Sequence, residues 1–180
     1  MTRFALLLSV GLVGTSLGAQ ADAVLKTEQL AENIYALVGP TTNRDPQNLG
    51  NNATFGFVVT KAGVVLIDSG GTYRGAAAIE AQIRKVTDKP VVVVINTGGQ
   101  DHRWLGNGYF KERGARIISS KRAVEDQRAR LQEHMSRLGN LLGAAELKGT
   151  DPVYADVRFD KAHTLEIGGV RFELHHAGQA

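Results

Sequence analysis

Asp101 and His102 stand side by side in the segment Ile95-Asn96-Thr97-Gly98-Gly99-Gln100-Asp101-His102-Arg103-Trp104-Leu105-Gly106-Asn107. A carboxylate and an imidazole in one loop can both bind a divalent cation. Two glycines just before them let the backbone approach another group closely. The segment leaves the end of Val91 to Ile95, five consecutive branched aliphatic residues that read as a strand covered on both faces. Ligands of open α/β sheets gather at such strand ends. Spacing alone favours a plainer reading, because two ligands do not make a zinc site. In that reading Asp101 caps the following helix and His102 is an ordinary half-exposed side chain.

The other histidines carry less. His175 and His176 are neighbours on a strand, so they point to opposite faces and read as surface or core-edge groups. His134 is expected on the solvated face of a long helix beside Met135. His163 precedes a strand and has no nearby partner in sequence. Trp104, the single tryptophan, either lines a pocket or packs the loop. Asn48, Asn51 and Asn52 either lie over the site or serve plain loop chemistry. The chain has no cysteine, so there is no disulfide framework and any metal must be held by His, Asp or Glu.

The elements that must position these residues begin with strands over 25–29 and 34–38. A polar loop, 39–52, follows. A hairpin of Thr54 to Thr60 and Val64 to Ile67 turns at Lys61-Ala62-Gly63. A helix over about 72–86 places Ala76, Ile79, Ile83 and Val86 on one side, the spacing of a face packed on a sheet. After the loop 96–107 come a short helix near 108–113 and a strand over 115–118. Ser119 or Ser120 then caps a long helix with the stripe Val124, Leu131, Met135, Leu138 and Leu142. Strands near 163–167 and 170–175 flank Gly168-Gly169. Strand pairs first, then strands alternating with helices, point to a mixed sheet with helices against it.

Composition sets outer limits. The 180 residues suit one domain, and 43% hydrophobic with 22% charged residues is ordinary for a globular protein. The net charge of +3 is scattered, without the basic stripe of a nucleic-acid binder. Arg3, the apolar run Phe4 to Val13 and Ala19-Gln20-Ala21 form the pattern of a secretory signal peptide over 1–21, with cleavage after Ala21. A membrane anchor is the rival, but the run falls short of the roughly 20 residues that span a bilayer. The expected location is periplasmic or secreted, without stable membrane insertion after cleavage.

The order of a Phe-rich hairpin, Leu66-Ile67-Asp68-Ser69-Gly70, an aliphatic strand, Ile95-Asn96-Thr97, Asp101-His102 and Gly106-Asn107 resembles the metallo-β-lactamase-fold hydrolase superfamily. The resemblance implies an α/β fold, an αββα sandwich of which 22–180 is about the N-terminal half. It implies zinc, activating a water that attacks a small-molecule ester, thioester, lactone or lactam. Asp101 and His102 match the second-metal pair of the family's His-x-His-x-Asp-His loop, with Asp101 also the catalytic position. The first-metal histidines would fall near Thr97 and Gly99 and are absent, so the motif is degenerate. Gln100 does not replace them. Asp68 matches a position that supports the loop from behind. His175-His176-Ala177-Gly178 resembles the approach to a Gly-His-Thr-x-Gly loop, and the sequence stops there, which reads as a shortened chain. The alternative to a hydrolase is a non-catalytic or decayed relative that binds. An uncovered sandwich face would favour self-association.

Overall fold

The computed structural model describes residues 24–178. The segment 1–21, read above as a signal peptide, lies outside the described residues. Among those residues no helix is long and apolar enough to cross a membrane.

Seven strands form one sheet in sequence order: β1 (Lys26–Ala31), β2 (Ile34–Val38), β3 (Thr54–Val59), β4 (Val64–Ile67), β5 (Val91–Asn96), β6 (Arg116–Ser120) and β7 (Val157–Phe159). β1 to β4 run antiparallel, with short turns after β1 and β3 and the long loop 39–53 between β2 and β3, while β4 to β7 run parallel. The parallel crossovers carry α1 (Tyr73–Arg84), α2 (Asp101–Trp104), α3 (Asn107–Lys111) and α4 (Lys121–Leu142). The last two strands, β8 (Ala162–Ile167) and β9 (Val170–His175), form a separate hairpin.

Strand alternation divides the core in two. Val64 and Leu66 of β4 and Val94 of β5 join Phe55 and Phe57 against Ala76, Ile79 and Ile83 of α1. Val65, Val93 and Ile95 point the other way and meet Leu165 of β8, with Phe172 and Leu174 of β9 half-buried beside them. Both faces of β4 and β5 are therefore apolar, as the unbroken aliphatic run requires. The outcome is a helix layer on one side of the large sheet and the β8–β9 hairpin on the other.

Two helix starts follow their caps. Thr72 accepts from the Gly75 amide at 2.8 Å, and Ser120 accepts from the Ala123 amide at 3.1 Å. Sequence reading missed β7 and the helical turn α2 within the expected loop. It also misplaced His134, which is 5% exposed on the inner side of α4. Ser120 sets the phase of α4, and that phase turns position 134, with Gln127 and Leu138, toward the protein.

Leu66 is fully buried between neighbouring strands. Leu66→Ala is expected to cost about 2–5 kcal/mol of stability, while Leu30→Ser, at a position 65% exposed, should change it by less than about 0.5 kcal/mol. Urea denaturation of both variants measures the contrast.

Candidate functional site

The ends of β4 and β5 are tied together by main-chain bonds. Ser69 and Gly70 donate their amides to the carbonyls of Arg103 and His102 at 3.2 and 3.0 Å, and Gly106 donates back to Gly70 at 2.9 Å. A methyl group on Gly106 would meet the Ser69 carbonyl oxygen at 2.1 Å, so this approach requires glycine. Under it lies a buried polar knot. Asn96 and Asn107 exchange amide hydrogen bonds at 2.9 and 3.0 Å, and the Ser69 hydroxyl donates to Asn107 at 2.9 Å.

Asp68 turns the chain at the end of β4 with φ of 63°, a left-handed conformation that Asp tolerates. Its two carboxylate oxygens accept from the Thr97 amide and hydroxyl, each at 2.7 Å. It thereby supports the start of the 96–107 segment from behind, as its sequence position suggested. Burial pushes its carboxyl above the usual range, and the Thr97 bonds oppose that.

The knot and the Asp68 strut fix α2, whose first two residues are Asp101 and His102. Gln100, not Asp101, occupies the cap position, and its side chain makes no cap bond. Asp101 is 3% exposed and spends one oxygen, Oδ1, on the His102 amide at 2.8 Å. Its other oxygen accepts from Nη1 of Arg44, in the loop between β2 and β3. The second terminal nitrogen of Arg44 lies 2.8 Å from Nδ1 of His102, and its Nε donates to Asn52 at 3.1 Å. Burial raises the Asp101 carboxyl, but contacts with His102 and Arg44 and the guanidinium charge together hold it well below the carboxylate range.

Arg44 is the residue that sequence reading missed. It is one arginine in an Asn-rich loop, 57 positions from Asp101, and no local pattern marks it. Asn52 holds it in place. Asn48 and Asn51 shape the loop instead: the Asn48 carbonyl accepts from the Asp45 and Gly50 amides, and Asn51 donates to the Gly75 carbonyl. Trp104 is packing, fully buried and stacked on Tyr154 at 5.2 Å. Thr97 is committed to Asp68, Gln100 accepts from Arg103 at 2.9 Å, and neither adds a donor at Asp101. His163 stacks on Phe159 at 5.9 Å within β8, and His175 is exposed at the end of β9. His134 lies near enough to Asp101 to feel its charge, but burial keeps its imidazole below the ordinary range.

A cleft of about 580 Å³ lies beside Arg44, which lines it together with Asn52, while Asp101 and His102 do not. Asn43, Arg44 and Asn52 form one wall, and Glu133, Arg137 and Asn140 of α4 form the other.

The donors among the described residues do not by themselves make a zinc site. A catalytic zinc takes three protein ligands and a water. Among the described residues no three His, Cys, Asp or Glu side chains converge as a metal-binding group. The two candidates that do meet already share a guanidinium.

Comparison with known proteins gives the fold its context. No family profile matches the chain. Over 177 residues it is 31% identical to a metallo-β-lactamase type 2 from Elizabethkingia meningoseptica, covering 98% of this chain and 62% of that protein. A metallo-β-lactamase from Pontibacter korlensis superposes with a TM-score of 0.54 at 19% identity, over 83% of this chain and 59% of that one. One from Hirschia baltica gives 0.51 at 13% identity, over 82% and 59%. The chain thus spans about three fifths of the length of these proteins. The family resemblance read from the sequence is borne out, and the architecture is part of that fold: one helix layer, the large sheet and a two-stranded piece on its other face.

Removing the guanidinium would leave Asp101 buried and unpaired. Paired, Asp101 titrates low, so it stabilises the fold above the carboxylate range and that contribution fades as pH falls below it. Unpaired, its carboxyl would titrate high and cost stability increasingly as pH rises. Arg44→Ala is therefore expected to lose about 3–5 kcal/mol at neutral pH and much less in acid. Urea denaturation at the two pH values reads the difference.

Proposed function

We propose, on the premise that this chain carries the metallo-β-lactamase fold, that it is an exported small-molecule-binding protein whose Asp101–His102 corner works without zinc. The observation that carries this reading is the Arg44 side chain held between Asp101 and His102. A guanidinium there neutralises the carboxylate that would otherwise attract a divalent ion. The adjoining cleft, lined by Arg44 and Asn52, supplies room for a ligand next to the guanidinium that Asp101 and His102 hold.

The second reading is the hydrolase that the resemblance implies, acting on an ester, thioester, lactone or lactam. The 31% identity to a protein named as a metallo-β-lactamase favours it. Zinc would then need donors other than the pair described here, and no metal-dependent step follows from the present residues.

Metal analysis of the purified protein, together with a panel of chromogenic lactam, thioester and lactone probes, separates the two. The expected result is far less than one equivalent of zinc and no turnover stimulated by added zinc. One tightly held equivalent, with hydrolysis abolished by a chelator, would overturn the binding reading.

Export is part of the proposal and rests on the pattern in residues 1–21. N-terminal sequencing of the protein from a periplasmic fraction should begin at Asp22. The β8–β9 hairpin leaves Phe172 and Leu174 half-buried, which supports self-association across that face. Sedimentation velocity should show species heavier than a monomer at high concentration.

A further inference from the structure

We infer that Arg44 is a resident cation that locks His102 into one tautomer, making its Nε2–H a fixed hydrogen-bond donor for a ligand's carbonyl or carboxylate oxygen. This rests on the zinc-free reading above and adds the ligand chemistry to it.

A guanidinium only donates, so the contact of 2.8 Å between Arg44 and His102 Nδ1 requires Nδ1 to accept. In a neutral imidazole the proton must then sit on Nε2. The competing partner for Nδ1 is Oδ1 of Asp101, at 3.4 Å. That contact is longer, and Oδ1 is already engaged by the His102 amide at 2.8 Å. The geometry therefore favours acceptance from Arg44 over donation to Asp101.

Two consequences follow. His102 has no nitrogen lone pair free for a metal, because one is engaged by Arg44 and the other nitrogen carries the proton. Its Nε2–H has no partner among the described residues, while its side chain is 19% exposed. An N–H in that state seeks an oxygen acceptor. The ligand class that satisfies it is a small molecule with a carbonyl or carboxylate oxygen.

The arrangement is built rather than incidental. The Arg44 side chain is 12% exposed and the Asp101 side chain 5%. All three guanidinium nitrogens are engaged, by Asn52, Asp101 and His102. A lysine could not span the same partners, since its ammonium is a single point.

Long-range proton–nitrogen correlation spectra of protein labelled at histidine test the proposal directly. His102 is identified by the peaks missing from His102→Gln. In the natural sequence His102 should show an unprotonated Nδ1 and a protonated Nε2, with resonances unmoved by excess zinc chloride. Asp101→Asn should keep that tautomer, because Arg44 sets it. Arg44→Ala should mix the tautomers and let zinc perturb His102 at concentrations lower by roughly an order of magnitude. A protonated Nδ1 in the natural sequence, or a tautomer that switches in Asp101→Asn, overturns the proposal. So does low-micromolar zinc shifting the natural protein's His102. If Arg44→Ala does not fold, the first two spectra still decide. Turnover in the probe panel with the Nε2–H signature intact would sink the binding reading alone.

Discussion

Asn96 and Asn107 exchange two hydrogen bonds in a space closed to water, and the Ser69 hydroxyl and the Arg103 carbonyl complete their pairing. Both asparagines are nearly or fully buried, so each unmade bond would cost the full desolvation of an amide. The knot joins the end of β5 to the start of α3 and to the turn after β4. It holds α2 against that turn, and α2 presents Asp101 and His102 to the loop that brings Arg44. Loss of the knot would leave those residues on an untethered segment.

Much of the frame was legible because its causes are local. Alternation along Thr54 to Ile67 and the aliphatic run before Asn96 fix which strands are covered on both faces. Thr72 and Ser120 mark helix starts by their own chemistry. Asp68 and Gly106 were legible as motif positions, and the structure supplies the reason, a left-handed turn and a contact too close for a methyl group. The rest depends on contacts distant in sequence. β7 is three residues long and exists only because β6 offers an edge. His134 lies on the same helical face as Leu131 and Leu138, so its spacing was legible, but its residue type read as solvated. Arg44 sits in a loop whose composition says only that it is a loop.

The guanidinium also changes what kind of place the corner is. A divalent ion would supply two charges and exchangeable coordination positions. Arginine supplies one permanent charge, five directed donors and no open position. Its charge is spent on Asp101, which leaves the corner near neutrality. In the binding reading proposed above, recognition there would fall to oriented hydrogen bonds, with Asn43 and Asn140 lining the neighbouring cleft.

The sheet is divided between neighbours in sequence and neighbours only in space. β1 pairs with β2 and β3 with β4 across short turns, while β2 and β3 pair across the loop 39–53 that carries Arg44, so these contacts stay close in sequence. β4 to β7 pair across connections that each carry helical structure, and the link between Arg44 and Asp101 closes a loop of 57 residues. The functional corner straddles that divide. It therefore depends on both halves, so conditions that leave the parallel half unassembled would separate Arg44 from Asp101 while the antiparallel meander persists.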